Sequence, residues 1–196
     1  PIMKKCFFVF GPESSGNRLM ARILIAAGCH GKGDTDQEPH KILLPNLGYE
    51  TNVVVHISFP FGAMGCGREW PSVNGWVKRA REYSYDPQAI VMVRDMLCMC
   101  HSQVEAGHVL TIDEAVSNIP IAYSKIFDGI NKTGIKFTVV SYESLVLHPN
   151  DVMVWLIARL GLLTSIPTEE IKDENAKWYQ FPIRWNEIIR KGIDVE

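Results

Sequence analysis

Short runs of apolar residues alternate along this chain with stretches in which apolar residues recur at helical spacing. Four of these runs have the length of buried β-strands and are predicted at residues 6–10, 53–57, 89–93 and 136–140. Strands that alternate with helices form a mainly parallel sheet covered on both faces. The pattern therefore predicts a three-layer α/β fold, in which a central sheet of four or five strands is flanked by helices.

The helical stretches carry recognisable start and stop signals. Gly28 ends the first apolar stripe, and Thr111 with Glu114 forms a capping box at the start of a long helix. The helices that follow the first one are predicted at residues 73–83 after a Ser72 cap, 96–107, 111–131, 150–160 and 183–191.

Composition adds limits on size, partners and compartment. The chain has 196 residues, of which 46% are hydrophobic and 21% are charged, as in ordinary globular proteins. This length predicts a single domain over residues 1–196, with a core at about 6–163 and a helical extension at 164–196. A net charge of −2 gives no support for nucleic-acid binding. Five cysteines without framework spacing indicate a reducing, cytoplasmic setting, and the apolar run at 6–10 is too short for a membrane span.

The first strand leads into a small-residue loop, Gly-Pro-Glu-Ser-Ser-Gly-Asn-Arg at 11–18, and the loop opens a helix. Backbone N–H groups of such a loop, together with the positive helix end, favour an anion. The loop predicts a P-loop-like nucleotide-binding topology, although Asn17 stands where a P-loop has lysine and Arg18 where it has a hydroxyl. Ordinary ATP chemistry is therefore disfavoured, while Arg18 can still clamp a phosphate or sulfonate. The alternative is an ordinary strand–helix turn.

Polar side chains follow the other predicted strands, where parallel sheets bind ligands. The second strand ends in the segment 56–60, in which His56 is a candidate general base, because the unperturbed pKa of histidine lies near neutrality. Arg94 closes the third, and Ser102 lies about 10 Å along the next helix, so both can grip one phosphate. Ser141-Tyr142-Glu143 closes the fourth. Structural alternatives are a salt bridge of Arg94 with Asp95 or Glu143, a solvent-facing Ser102, and a His56 bonded to a backbone carbonyl.

In order and spacing, these motifs resemble a family of sulfotransferases that use 3′-phosphoadenosine 5′-phosphosulfate (PAPS). The loop at 12–19 is similar to the family's 5′-phosphosulfate loop, and 54–60 is a loose match to the segment that holds its catalytic base. Arg94-Asp95 followed by Ser102 matches an Arg-Asp-Pro segment with a serine at the same spacing, with Met96 where proline is usual. Segments 141–145 and 158–162 then follow in the family's order, so the resemblance spans residues 6–163.

The resemblance implies transfer of a sulfonate group from PAPS to a hydroxyl or amine of a small-molecule or glycan acceptor, without a metal. It implies that His56 is the general base and that Arg94 and Ser102 bind the 3′-phosphate. The remaining donor-binding residues that it implies are Ser14, Ser15, Gly16, Asn17, Arg18, Tyr142, Arg190, Lys191 and Gly192. Ser14 stands where the family commonly has a lysine, and Arg18 is expected to take over its role in catalysis.

The sequence leaves two other functions open. The first is a degenerate P-loop kinase or NTPase, which would need magnesium and a carboxylate at a strand end, for which Asp95 is the candidate. The second is a non-catalytic relative that keeps the nucleotide groove. The acceptor and the oligomeric state are not readable, because an acceptor pocket would be built from the loops at 30–45 and 64–74. No membrane or nucleic-acid partner is expected.

Overall fold

The computed structural model describes residues 3–31, 51–60, 69–162 and 171–179. Within them lies one four-stranded sheet in which every neighbouring pair of strands is parallel, with the order β2-β1-β3-β4. The strands are β1 (Lys5–Pro12), β2 (Val53–Phe59), β3 (Asp86–Val93) and β4 (Lys136–Ser141). All four predicted strands are confirmed, and each is one to three residues longer than its apolar run.

Six helices flank the sheet in the part of the chain that the structure describes. They are α1 (Asn17–Ala26), α2 (Val73–Glu82), α3 (Met96–Glu105), α4 (Ile112–Thr133), α5 (Tyr142–Leu147) and α6 (Pro149–Leu160). The three-layer α/β fold is therefore confirmed. The predicted helix at 183–191 and most of the predicted acceptor loops lie outside the described residues.

Two apolar clusters fill the two sides of the sheet, because successive residues of a strand point to opposite faces. Phe8 and Phe10 of β1 pack toward α2 and α4, whereas Phe7 and Val9 pack toward α1 and α6. All four of these side chains are fully buried. Burial on both faces explains why β1 reads as an unbroken apolar run instead of an alternating one.

The predicted capping signals form in the structure. The Thr111 hydroxyl accepts from the Glu114 N–H at 3.2 Å, and the Ser72 hydroxyl accepts from the Gly75 N–H at 3.2 Å. Helix α5 was not predicted. It begins because the Ser141 hydroxyl accepts from the Ser144 N–H at 3.2 Å, which turns the chain into a helix as soon as β4 ends.

Strand order decides which loops meet. Strands β1 and β3 are neighbours, and Phe10 pairs with Val91, so the chain leaves both strands at the same edge. The loop after β1 and Arg94 after β3 therefore emerge side by side. In the part of the chain that is described, no helix is long and apolar enough to cross a membrane.

Helices α2 and α4 approach closely at Gly129. A Cβ at this position would lie 2.5 Å from Val73 Cβ. Helix propensity alone favours alanine over glycine by about 1 kcal/mol, whereas forcing an extra methyl into a packed contact costs roughly 1–3 kcal/mol. We expect Gly129→Ala to lower the free energy of unfolding by about 1 kcal/mol, as measured by urea denaturation.

The matched control is Asp128→Ala, one residue earlier on the exposed side of α4. It should change the free energy of unfolding by no more than about 0.5 kcal/mol. A Gly129→Ala protein that is more stable than the wild type would show that the two helices are not in close contact.

Candidate anion-binding site

The loop between β1 and α1 adopts a tightly turned backbone. The Ser15 N–H donates to the Pro12 carbonyl at 3.2 Å, and both Ser14 (φ 65°) and Gly16 (φ 98°) are in the left-handed region. Such a conformation costs a non-glycine residue like Ser14 on the order of 1–3 kcal/mol, and strain of this kind concentrates at ligand sites. Gly16 is the N-cap of α1, and no side chain caps the helix there. The first N–H groups of α1 are thus left for an acceptor outside the helix.

Ser15 and Asn17 hold the inside of the loop. Both side chains are buried, and the Ser15 hydroxyl donates to Asn17 Oδ1 at 3.0 Å. Asn17 Nδ2 donates in turn to the carbonyl oxygens of Gly11 at 3.2 Å and Pro12 at 3.5 Å. Asn17 therefore turns back onto the end of β1, where a P-loop lysine would reach outward to phosphate. Its role in the described structure is to support the loop.

Arg94 is bonded directly to this loop. Its Nη1 donates to the Ser14 carbonyl at 2.7 Å, and its Nε donates to Asn175 Oδ1 at 2.6 Å. Its third nitrogen, Nη2, is buried and has no hydrogen-bond partner within the described ranges. The guanidinium also lies 4.4 Å above the centre of the Tyr142 ring. Arg94 therefore meets the loop, as predicted. Among the described residues it forms no ion pair with Asp95 or Glu143.

Tyr142 forms the floor beneath Arg94 and the loop. A Cβ on Gly16 would lie 2.9 Å from Tyr142 Cδ2, so only glycine allows the loop to rest on the ring. The Tyr142 hydroxyl donates to the Lys172 carbonyl at 2.9 Å and accepts from the Glu174 N–H at 3.0 Å. Burial raises the pKa of Tyr142, against the opposing effects of the Glu174 N–H and the Arg94 charge. The phenol is therefore neutral near pH 7.

Asn175 joins Arg94 to the end of β4. It is fully buried, and its Nδ2 donates to Glu143 Oε1 at 2.8 Å and to the Tyr179 hydroxyl at 3.2 Å. Glu143 in turn accepts from the Asp95 N–H at 2.9 Å. Sequence reasoning missed Asn175, because it is 81 residues from Arg94 and no motif marks it.

Helix α3 packs against the other side of the loop. Gln103, which is buried, donates from Nε2 to the Glu13 carbonyl at 2.8 Å. The Glu13 carboxylate lies 3.4 Å from Nδ1 of His108. Ser102, next to Gln103, is partly exposed on the same helix. The predicted helix thus brings Ser102 to the neighbourhood of the loop, whereas its role in binding phosphate stays a prediction.

His56 lies away from the loop, whereas Arg18 directly follows it. Strand β2 continues to Phe59, so His56 stands within the strand, paired with Val9, and not at its end as predicted. Three residues of strand separate it from the end of β2, a distance of about 10 Å. The side chain is 3% exposed and lies on the α1 face of the sheet. Arg18 is exposed in the first turn of α1. The catalytic roles of both residues stay predictions.

Two cysteines lie close to Arg94 on α3. Burial raises the pKa of Cys98 to about 12 and raises that of Cys100. Both are thiols at neutral pH, so neither supplies a thiolate nucleophile. The Asp95 carboxylate caps α3 by accepting from the Cys98 N–H at 2.8 Å.

On its other side, Arg94 borders a mostly apolar groove between α3 and α4. The groove has a volume of about 350 Å³. Its lining consists of Val93, Arg94, Met96, Met99, Ile119, Pro120, Tyr123 and Phe127. Arg94 therefore separates a polar loop from an apolar surface.

Several predictions are left without a structural test. Arg190, Lys191 and Gly192 lie outside the described residues. Among the residues that are described, no group of three or more His, Cys, Asp or Glu side chains is placed to hold a metal ion. The metal-free reaction stays a prediction.

Comparison with known proteins adds no name to this site. No protein-family model matches the chain, and no curated protein matches it.

The structural role assigned to Asn17 is testable by an isosteric change. In Asn17→Asp, a carboxylate oxygen replaces Nδ2 and faces the carbonyl oxygens of Gly11 and Pro12. The loss of donors at this buried position should lower the free energy of unfolding by about 2–3 kcal/mol at neutral pH in urea denaturation. Asn150→Asp, the same change at an exposed position of α6, should alter it by no more than about 0.5 kcal/mol. Equal, small effects would contradict the assigned role.

Proposed function

We propose that this protein is a PAPS-dependent sulfotransferase. Three observations support the proposal: the order and spacing of the motifs that resemble this family, the strained loop at the start of α1, and above all the contacts that Arg94 makes. The first is a resemblance of sequence, and the other two are features of the described residues.

The charge of Arg94 is the single observation that carries the proposal. Among the described residues, its polar partners are the Ser14 carbonyl and the Asn175 amide oxygen, which are both neutral, and the Tyr142 ring is neutral as well. No carboxylate in this part of the chain forms an ion pair with the guanidinium, so its positive charge is not offset by a direct partner. Its Nη2 is also a buried donor that finds no acceptor there, which costs roughly 1–3 kcal/mol. An anionic ligand beside the loop would supply both the missing acceptor and the missing counter-charge.

The donor has two anionic ends that suit this arrangement. In the proposal, the 5′-phosphosulfate lies against the N–H groups at the start of α1, and the 3′-phosphate lies against Arg94 and Ser102. Tyr142 supports both Gly16 and Arg94, so it fixes the two anion positions relative to each other. Positioning the donor in this way is a large part of catalysis in a two-substrate transfer.

The reaction follows from this placement. The acceptor oxygen or nitrogen attacks sulfur in line, and the bond between sulfur and the bridging oxygen breaks. The acceptor proton passes to a general base, the role for which the sequence resemblance names His56, and the bridging electron pair stays on the 5′-phosphate of the product, 3′-phosphoadenosine 5′-phosphate (PAP). Loop N–H groups and Arg18 stabilise the charge that develops on the bridging oxygen.

The two alternatives differ in what supports them. Asp95, the carboxylate that a kinase would need for magnesium, caps α3, and Asn17 turns into the loop instead of toward a phosphate. Both observations disfavour ATP chemistry. A non-catalytic nucleotide-binding relative would use the same Arg94 and the same loop, so only turnover separates it from the proposed enzyme.

Donor binding is tested by thermal unfolding with PAP, adenosine 5′-phosphate (AMP), and ATP with magnesium. A ligand at one hundred times its Kd stabilises the folded state by about 2.7 kcal/mol. For a chain of this length, that corresponds to an increase in Tm of roughly 5–10 °C. We expect this increase with PAP and a smaller one with AMP, which lacks the 3′-phosphate. A larger increase in Tm with ATP and magnesium than with PAP would support the kinase or NTPase hypothesis instead.

The base is tested by His56→Gln, which keeps a polar side chain of similar size at this buried position. Removing a general base typically costs about 10²–10⁴-fold in rate. Release of PAP from PAPS, in the presence of a panel of alcohols, phenols and amines, should fall by that factor, while the Kd for PAP stays within about twofold. Full turnover by the variant would remove His56 from the mechanism. If the wild-type protein binds PAP but sulfonates none of these acceptors, the hypothesis of a non-catalytic nucleotide-binding protein is favoured.

A further inference from the structure

Asn175 lies between the positive and the negative side chain of the site. Its Oδ1 accepts from Arg94 Nε at 2.6 Å, and its Nδ2 donates to Glu143 Oε1 at 2.8 Å. Arginine can only donate and an ionised carboxylate can only accept. The amide orientation is therefore the one that satisfies both neighbours at once.

This arrangement prevents an ion pair. Arg94 and Glu143 each bond the same amide group, so they are near neighbours that the Asn175 side chain holds apart. Without that side chain, the guanidinium could turn onto the carboxylate in a charge-assisted pair. The pair would occupy guanidinium donors of Arg94 and offset its positive charge.

We propose that Asn175 is a positioning residue, which keeps Glu143 from neutralising Arg94 and so leaves the guanidinium available for the 3′-phosphate of the donor. The inference rests on the proposed function, because the ligand it names is the sulfonate donor. Asn175 touches Arg94 and not the reacting atoms, so its effect is on the binding of one phosphate group.

The rest of the local network holds Asn175 in place. The side chain is fully buried, and its Nδ2 also donates to the Tyr179 hydroxyl at 3.2 Å. Its backbone N–H donates to Asp173 at 2.9 Å, within a segment that Tyr142 anchors through its hydroxyl. Residues 171–179 therefore present one neutral amide at a fixed position between two charges.

A double-mutant cycle with Glu143 tests the inference. In Asn175→Ala, Arg94 is free to pair with Glu143, and the Kd for PAP should rise by about tenfold, the order expected for losing one charged contact. In Asn175→Ala with Glu143→Gln, the Glu143 carboxylate is no longer present to pair with Arg94, and most of the lost affinity should return. Glu143→Gln alone should bind PAP no more weakly than the wild type. Calorimetric titration of all four proteins supplies the cycle.

A second ligand separates this role from a merely structural one. AMP lacks the 3′-phosphate, so its Kd should be the same in all four proteins to within about twofold. A general loss of structure would weaken the binding of both ligands, and a second substitution would not restore it. If Asn175→Ala does not fold, the isosteric Asn175→Asp takes its place, because the new carboxylate would itself pair with Arg94 and should weaken PAP binding by a similar factor.

The outcomes test the role of Asn175 separately from the proposed function. Equal PAP affinity in the wild type and Asn175→Ala, or a loss that Glu143→Gln does not restore, overturns the role of Asn175 while the proposed function stands. Failure of the wild type to bind PAP at all overturns the proposed function and this inference with it.

Discussion

The guanidinium of Arg94 is the interaction on which the site depends. It ties β3 to the strained loop through the Ser14 carbonyl and to residues 171–179 through Asn175, and it stacks on Tyr142. The residue is partly buried, and its Nη2 atom is buried. A charge removed from water is usually paired, because desolvating an unpaired charge is costly. Within the described residues neutral groups hold the guanidinium in place, so its charge stays available to a ligand.

The fold brings these parts together through strand order. Because β1 and β3 are adjacent and parallel, the loop and Arg94 leave the same edge of the sheet. Strand β4, next to β3, adds Tyr142 and Glu143 at the same edge. Strand β2 continues past His56 to Phe59, so His56 does not lie at the end of its strand as expected. The described part of the site is built on the two central strands, β1 and β3, and on β4.

The strands and most helices were predictable, because burial on both faces produces uninterrupted apolar runs and because caps such as Thr111 with Glu114 act locally. The convergence of the loop, Arg94 and Tyr142 was also predictable from parallel strand ends. The inward turn of Asn17 was not, because its partners are backbone carbonyls that carry no signal in the sequence. Asn175 was not predictable either, since its position depends on how a distant segment packs over the sheet edge.

The most direct measurement is a crystal structure of the protein with PAP. We expect the 3′-phosphate to lie within hydrogen-bonding distance of Arg94 Nη2, the buried donor for which the described residues supply no acceptor. We expect the 5′-phosphate to lie against the N–H groups between Ser14 and Leu19. PAP bound at another surface, or bound here without a contact to Arg94 Nη2, would contradict the proposed role of Arg94.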